Sequence, residues 1–442
     1  MSKIKTIVIG LVLLTSTKLS AQSSITTLQL QESLVQSSLL NPSIYPEFKV
    51  IVGLPGASSV YASGHSVLGL RDVFLYPKNI FNSKPDSIVL NIDKIYKKND
   101  FGFEADAQLF LLGVATKRGY LTFNSRLRSE FNTRVPEEFL QWTAWGFTDP
   151  RVNTNVSLDD LSVKGQTFLE TSVGYAHKVN TLLKIGAKLK YVKGIFNINM
   201  EQIGGFSLNQ DSIRLNLSQA TYSMAGINNL GSNNMFDYIS NHRNNGVALD
   251  LGANVYLTPY MNFSMAISDI GFIRWKDNLK QYTAKDFNYS ISSFKLVDYI
   301  SGNESATLQQ EIDTLVSKLD QPLEVKEYRT LLTAKLMMST QFEINESNFL
   351  GISLASNLTN GRMDPKFGFT YRLKVKNAFS FITGLSFSNR RIDNILGGIV
   401  FKPGPFQFYL VTDRVNSLAT FYKTKETNFR LGMNLMFGKV KK

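Results

Sequence analysis

Few residues in this chain are of the kinds that catalyse reactions. It has no cysteine and three histidines, which excludes thiol nucleophiles, disulfides and thiolate metal sites. His65 and Ser66 are adjacent, but neighbours in an extended strand point to opposite faces and cannot pair as base and nucleophile. His177 has no serine of matching position nearby in sequence, and His242 lies in a polar loop. We therefore predict no enzyme activity and no cofactor, with a serine on a neighbouring strand as the open alternative.

Two carboxylates, Glu104 and Asp106, share one face of a predicted strand. Such a pair could act as acid and base in hydrolysis, or bind a cation. Arg126 and Arg128 have the same spacing on the next predicted strand and would face them across the sheet. We interpret the four side chains as ion pairs along an inner wall, and predict no metal site.

The elements that would position these residues alternate between apolar and polar side chains. Between residues 181 and 191 every second residue is apolar, and those between are mostly lysine or glycine. Side chains alternate across a strand, and about ten tilted residues cross a bilayer, so this segment would separate lipid from a polar interior. Similar segments recur at 121–131, 247–257, 261–268, 329–342, 366–374 and 429–437.

Short and long connections alternate between these segments. Membrane barrels have short periplasmic turns and longer external loops. The long connections here include 133–162, 196–245 and 273–327. We predict an all-β fold, a transmembrane antiparallel up-and-down β-barrel of about 14 strands with both termini in the periplasm. Counts of about 12 or 16 are alternatives, because 201–222 and 285–298 could be hairpins within loops.

The beginning of the chain has the features of a secretion signal. Lys3 and Lys5 precede an apolar run at 7–14, and Ala21 closes a plausible cleavage site. The apolar run is too short to span a bilayer as a helix. Residues 1–21 are therefore predicted to be a signal peptide, and the exported barrel is expected in the outer membrane of a Gram-negative cell.

Residues 22–58 precede the first predicted barrel strand and are too long for a simple stub. They contain the turn signals Asn41-Pro42 and Gly53-Leu54-Pro55-Gly56. A barrel of this size has a lumen that wall side chains cannot fill. We predict that residues 22–58 form a plug in the lumen or at its periplasmic mouth, and that 59–442 form the barrel. Amphipathic patterns predict loop helices at 86–96 and 305–320.

The polar faces of the predicted strands are mainly basic, and the chain has a formal net charge of +13. The lumen-facing candidates are Arg126, Arg128, Lys184, Lys188, Lys190, Asp250, Lys335, Arg372 and Arg430. Rings of arginine and lysine favour anions in pores, but plug carboxylates and interior hydrogen bonds could equally neutralise them. Because the bases are spread along strands, nucleic-acid binding is not predicted. The expected partners are outer-membrane lipid and the phosphates of lipopolysaccharide.

Motifs along nearly the whole chain carry a family resemblance. They are Asn41-Pro42, Gly53-Leu54-Pro55-Gly56 and the segments 87–97, 170–175, 185–191, 248–253, 269–275, 408–413 and 428–438. Through these motifs the chain resembles a Bacteroidota outer-membrane β-barrel family of unknown function. More distantly, it is similar to FadL-like (long-chain fatty-acid transporter-like) barrels and to the PorV type associated with type IX secretion. The resemblance implies a barrel of about 14 strands with an N-terminal segment inside or beneath the lumen, and no known reaction.

Two functions follow as hypotheses. The first is passage of a small hydrophobic or anionic solute past an internal plug, which fits the basic inner face and the long segment before the barrel. The second is a non-transporting accessory barrel of a surface-secretion (type IX-like) assembly, which would bind secretion-system proteins. A soluble exported β-sandwich is the structural alternative.

Overall fold

The computed structural model describes residues 34–44, 46–66, 98–145, 155–159, 161–208, 212–226, 238, 243–292, 326–359, 362–376, 378–388, 391–419 and 425–440. The predicted signal peptide, the first part of the predicted plug segment (22–33) and both predicted loop helices lie outside these residues.

Within the described part of the chain, nineteen strands form one sheet. They are β1 (Phe48–Gly53), β2 (Val60–Ser66), β3 (Lys98–Ala115), β4 (Gly119–Pro136), β5 (Asn155–Ser157), β6 (Ser162–Lys178), β7 (Leu183–Leu208), β8 (Ser212–Gly226), β9 (Asn245–Thr258), β10 (Met261–Trp275), β11 (Lys280–Ser292), β12 (Tyr328–Leu331), β13 (Ala334–Asn345), β14 (Asn348–Thr359), β15 (Arg362–Val375), β16 (Phe379–Ser388), β17 (Arg391–Phe401), β18 (Phe406–Thr412) and β19 (Glu426–Lys439). A 3₁₀ helix (Val35–Leu39) precedes β1, α1 (Glu137–Trp145) follows β4, and α2 (Val415–Ala419) follows β18. None of the described helices has the length and apolar character needed to cross a membrane.

The sheet closes on itself through antiparallel pairs. β1 and β2 both pair with β3 and with β19, so together they make one interrupted wall strand. β12 and β13 both pair with β10 and make another. With β5, β8 and β11 outside the wall, the described strands form a closed 14-strand barrel. The predicted fold and strand count are confirmed, and the β-sandwich alternative is wrong because the sheet has no second layer.

The C-terminal part of β7, which lies away from the short turn before the strand, extends beyond the wall. Residues 183–193 pair with β9 in the wall, and from Phe196 onward the strand pairs with β8 instead. β8 in turn pairs with β11. The segment 201–222 and the described part of 285–298 are therefore hairpin strands outside the wall, which is why the count is 14 rather than 16. We call the opposite end, which carries the short turns, the turn end.

The outer face of the wall is apolar and exposed. In β7, Ile185 and Leu189 are 45% and 65% exposed, whereas Lys188 and Lys190, which flank Leu189 in the sequence, are buried. At the turn end, the rings of Phe379, Phe401 and Phe408 stack across neighbouring strands, with successive centroids 4.4 and 6.4 Å apart. An apolar band bordered by aromatic rings suits lipid hydrocarbon and its interface with water. The wall is that of a transmembrane barrel.

The structure places the start of the barrel earlier than the sequence prediction did. β1 lies in the wall, with Val50 opposite Phe437 of β19 and Val114 of β3. The prediction assigned this segment to the plug because the loop signal Gly53-Leu54-Pro55-Gly56 precedes the first predicted barrel strand. In the structure that turn interrupts a single wall strand, and Gly56 adopts a positive φ of 71° within it.

Candidate functional site: a plugged and charge-lined lumen

Residues 34–44, which we call the plug, lie inside the barrel near the turn end. Three of their apolar side chains reach three different parts of the wall. Leu34 packs with Tyr61, Ile382, Val400, Tyr409 and Val411; Val35 packs with Ile51, Leu111, Tyr120, Ala176 and Met436; Leu40 packs against Ala266, Met337 and Ala355. Because these partners belong to strands on opposite sides of the barrel, the plug spans the bore at this level.

Hydrogen bonds also hold the plug on opposite walls. Gln36 and Asn434 exchange two amide hydrogen bonds, of 2.9 and 3.0 Å. Asn41 Nδ2 donates to Ser264 Oγ at 2.6 Å. Lys188 Nζ donates to the backbone oxygen of Ser38, also at 2.6 Å. These partners lie on β19, β10 and β7, so the plug is fixed from several directions.

Two glycines allow the wall backbone to approach the plug closely. A Cβ atom at Gly186 would overlap the backbone of Pro42 and Ser43, and one at Gly252 would overlap the side chain of Asn41. Asn41 Oδ1 accepts from the backbone nitrogen of Ser43 at 2.9 Å, which fixes the local turn. The Asn-Pro motif noted in the sequence is therefore a contact point between plug and wall.

Beyond the plug, further from the turn end, the inner face carries a layer of ion pairs. In β7 the change is visible along one strand: Gly186 and Lys188 contact the plug, and Lys190 joins the ion pairs. We call this set the charge layer. Among the described residues it comprises Arg126, Arg128, Lys188, Lys190 and Arg430 with Asp106, Glu130, Glu170, Asp250 and Asp269. The formal charges of the ten groups cancel.

Each central carboxylate in the charge layer has several charged donors. Glu170 accepts from Arg126 Nη2 at 2.8 Å and from Arg128 Nη1 at 2.9 Å. Asp269 Oδ1 is 2.9 Å from Arg128 Nη1 and 2.6 Å from Lys190 Nζ. Burying charges is favourable only when hydrogen bonds of this kind offset the loss of water. The layer is therefore a tightly connected structural unit as well as part of the lumen surface.

Some of the ion pairs cross the bore. The bond between Arg128 and Asp269 joins β4 to β10, with β6, β7 and β9 between them. Glu104 on β3 and Lys335 on β13 are separated by five wall strands, and their charged atoms are 4.0 Å apart. In a closed barrel of 14 wall strands, β3 and β13 lie nearly opposite each other. The charge layer and the Glu104–Lys335 pair beside it therefore narrow the lumen a second time, beyond the plug.

The predicted lumen residues divide into two groups. Arg126, Arg128, Lys188, Lys190, Asp250 and Arg430 meet in the charge layer, and Lys335 pairs with Glu104 beside it. Lys184 and Arg372 lie apart, near the turn end. Lys184 Nζ donates to the hydroxyl of Tyr256 at 2.8 Å, and the Arg372 guanidinium lies 4.1 Å from the centre of the Phe349 ring. The bases of the layer do not form a ring of excess positive charge, because wall carboxylates neutralise them.

Asp269 is the main residue that sequence reasoning missed. Simple alternation places it on the outer face with Ile267. A β-bulge between Ile267 and Ile270, with a positive φ of 62° at Asp269, turns its carboxylate inward. The sequence signal for this bulge is a change in spacing. The outward-facing apolar residues of β10 are two positions apart up to Ile267, and the next one, Ile270, follows after three.

Both carboxylates of the acidic pair form ion pairs, but mostly not with the predicted partners: Asp106 lies 3.8 Å from Arg126, whereas Arg128 pairs with Glu130, Glu170 and Asp269 instead. Asp106 accepts two hydrogen bonds from Arg430, at 2.7 and 3.1 Å, and Glu104 faces Lys335. His65 Nε2 lies 3.5 Å from Asn132 Nδ2. Within the described segments, no group of three or more metal-binding side chains is placed to hold an ion.

Comparison with known proteins assigns the chain to a family. Residues 42–413 match the Family of unknown function (DUF5723). The chain belongs to this family. The resemblance to a family of unknown function is confirmed, and the family's description gives DUF5723 members no activity. None of the curated protein sequences matches the chain.

Several solved structures resemble this DUF5723 member. A Pseudomonas aeruginosa FadL homologue has 10% identity and a TM-score of 0.43, over 91% of this chain and 93% of that one. The Pseudomonas putida toluene transporter TodX has 7% identity and a TM-score of 0.41, over 90% and 91%. The CymD monoaromatic hydrocarbon channel has 11% identity and a TM-score of 0.43, over 91% and 93%. These likenesses assign neither a solute nor a mechanism to the DUF5723 chain.

Proposed function

We propose that this protein is an outer-membrane channel through which a small solute passes when the plug leaves its place in the lumen. The observation that carries the proposal is the plug itself, which spans the bore and contacts wall strands on opposite sides. The apolar outer face and the predicted secretion signal support an outer-membrane location. By the usual arrangement of short turns, the turn end with the plug would face the periplasm.

The composition of the plug makes its release plausible. Residues 34–44 contain no charged side chain. Their departure would break neutral hydrogen bonds and expose apolar surface. Among the hydrogen bonds described here, it would remove only one that a charged group donates, the bond from Lys188 to Ser38. Neutral hydrogen bonds contribute about 0.5–1.5 kcal/mol each because water can replace them. The plug is thus held by hydrogen bonds that water can replace and by the apolar contacts of Leu34, Val35 and Leu40, without an ion pair among the contacts described here.

The solute predicted from the sequence is small and either hydrophobic or anionic. The charge layer supports neither choice strongly. Its charges cancel, so it offers no net attraction to an anion. Polar side chains such as Ser353, Thr370, Ser380 and Asn394 are buried on the inner face, and a hydrocarbon could offer them no hydrogen bonds. We therefore propose a small hydrophilic solute.

A reversible crosslink would test the role of the plug. The chain has no cysteine, so Asn41→Cys with Ser264→Cys places one designed pair in an otherwise thiol-free protein. The native side-chain atoms at these positions are 2.6 Å apart. Oxidation is expected to hold the plug in place and stop solute entry into proteoliposomes, and a reductant is expected to restore it. The two single-cysteine variants are the controls.

Removal of the plug gives the converse measurement. A variant without residues 34–44 keeps β1 in the wall, unlike a deletion extended to residue 58. It is expected to conduct ions in planar bilayers far better than the full chain. A folded deletion variant that stays as closed as the full chain would contradict the proposal.

The accessory barrel of a secretion assembly is the second candidate. The sheet of β7, β8 and β11, which extends beyond the wall, offers a surface to a protein partner. Under this alternative the barrel would be purified from native membranes in a stable assembly, and deleting the β8–β11 extension would dissolve it. A monomer that transports solute without partners would count against it.

A further inference from the structure

The outer face of the wall carries two arginines directly opposite each other, at the end away from the turn end. They are Arg274 of β10 and Arg329 of β12. Ile273 and Trp275, which flank Arg274 in the sequence, are completely buried on the inner face, whereas the Arg274 side chain is 41% exposed. Arg329 is exposed as well. Like charges directly opposite each other destabilise a sheet, so an anion between the two guanidinium groups would stabilise this position.

The arginine pair lies where the apolar band ends. In β10 the outward apolar residues run from Phe263 to Phe272, and Arg274 is the next outward residue. A run of about ten tilted residues crosses the hydrocarbon layer of a bilayer. In the orientation proposed for the barrel, the two arginines would therefore lie at the level of the headgroups in the outer leaflet.

The charges around the pair do not cancel. Glu327 accepts two hydrogen bonds from Arg274, of 2.5 and 3.0 Å, and its other oxygen lies 3.4 Å from Lys276 Nζ. Arg329 forms no ion pair with any described residue, and its guanidinium lies 5.0 Å from the centre of the Phe272 ring. Contact with a ring leaves guanidinium N–H donors for other partners. Three bases and one acid give this group a formal net charge of +2.

Exposed apolar side chains adjoin the arginines on the side of the bilayer centre. Leu331 and Val247 lie on either side of Phe272 in the sheet, and they are 76% and 51% exposed. Such exposure is unfavourable in water and favourable against lipid chains. The surface thus combines a basic part at the headgroup level with an apolar part beneath it, as a phosphate group attached to acyl chains requires.

We propose that Arg274 and Arg329 bind a phosphate group of lipopolysaccharide in the outer leaflet, with Leu331 and Val247 against its acyl chains. Arginine binds phosphate oxygens through two parallel N–H donors. A phosphate monoester, as in lipid A, carries about two negative charges at neutral pH and would balance the excess positive charge. The diester of a glycerophospholipid carries less charge and would balance only part of it. The binding would fix the depth of the barrel in the membrane, and it does not depend on the channel proposal.

Native mass spectrometry of the full-length protein in detergent would test the proposal. The probes are monophosphoryl lipid A and phosphatidylglycerol, with inorganic phosphate as a competitor. We expect lipid A to bind about tenfold or more tightly than phosphatidylglycerol, and inorganic phosphate, which has no acyl chain, to displace it poorly. Arg329→Met should weaken lipid A binding about tenfold, because it removes charged hydrogen bonds to the phosphate.

Glu327→Gln gives a test in the opposite direction. It frees Arg274 from its acidic partner and should strengthen lipid A binding, a gain that misfolding cannot imitate. Arg214→Met and Arg118→Met are the controls. Arg214 is exposed in β8 beyond the wall, and Arg118 is exposed in the turn between β3 and β4 at the turn end, so neither change should affect lipid A binding.

Several outcomes would overturn the proposal. They are no binding of lipid A, equal or tighter binding of phosphatidylglycerol, and unchanged lipid A binding in Arg329→Met or Glu327→Gln. An equal loss of binding in the two control variants would refute it as well, because it would show attraction to the net charge of the protein alone. Complete displacement by inorganic phosphate at the concentration of lipid A would indicate a site for free phosphate and refute the lipid.

Discussion

Replacing Glu170 by glutamine would test whether the charge layer stabilises the barrel through balanced charge. Glu170 is completely buried and receives hydrogen bonds from Arg126 and Arg128, with Lys190 3.9 Å away. Glutamine has nearly the same shape and keeps one acceptor oxygen. The substitution therefore removes one negative charge, turns one acceptor oxygen into an amide donor that faces an arginine, and leaves one base of the layer uncompensated.

The expected effect is large for a change of one atom. Removing one partner of a buried ion pair costs about 3–5 kcal/mol, because the other charge stays buried and unpaired. The remaining amide oxygen still accepts one bond, so we expect a loss near the lower limit, about 3 kcal/mol. Since about 1.4 kcal/mol changes an equilibrium constant tenfold, the unfolding equilibrium should shift by roughly two orders of magnitude.

Urea unfolding from lipid vesicles would measure the free-energy change. Glu201→Gln is the control, because its exposed pair with Lys164 should contribute no more than about 1 kcal/mol. The double variant Glu170→Gln/Arg126→Met balances the layer again and should regain a substantial part of the loss. A loss below about 1 kcal/mol for Glu170→Gln, or a double variant in which the two losses simply add, would refute the reasoning.

Three further predictions concern the plug and the turn end. Gly252→Ala should displace the plug and raise the conductance of the full chain in planar bilayers, whereas Gly64→Ala, where the nearest atom is 3.9 Å away, should not. Gln36→Leu removes the amide pair with Asn434 and should speed hydrogen exchange of residues 34–44, measured by mass spectrometry, with exchange in β3 unchanged. Burial lowers the pKa of Lys402, in the turn after β17, from 10.5 to about 8. The folded protein therefore holds this proton less tightly than the unfolded chain, so Lys402→Met should raise the unfolding free energy at pH 7, and the gain should shrink as pH rises from 8 to 10.5.

The barrel could be predicted from the sequence because its signals are local. The alternation around Lys188 and Lys190 describes the two faces of one strand without reference to any other part of the chain. The start of the barrel could not be located in this way. Whether the turn at Gly56 ends a plug or interrupts a wall strand depends on pairing of β1 with β19, nearly the whole chain away.

The sequence predicted which face of each strand carries the site residues, but not which of these residues form ion pairs with each other. Alternation placed six of the nine lumen-facing candidates in what proved to be the charge layer, yet their bonds join distant segments. Arg128 and Asp269 are 141 residues apart, and Lys188 and Ser38 are 150 apart. Which base meets which carboxylate depends on strand order and on the bulge at Asp269, and neither is encoded within a single segment.

Lys188 connects the plug to the charge layer and explains how one could move without disrupting the other. Its Nζ bonds the backbone oxygen of Ser38 at 2.6 Å and lies 3.9 Å from Asp250 Oδ2, which has no hydrogen-bond partner among the described residues. When the plug leaves, a small rotation of the lysine would exchange the carbonyl for the carboxylate. A charged hydrogen bond would then replace a bond to a neutral group, so release would leave no buried charge without a partner. Plug release therefore need not disturb the ion pairs that narrow the lumen beyond it.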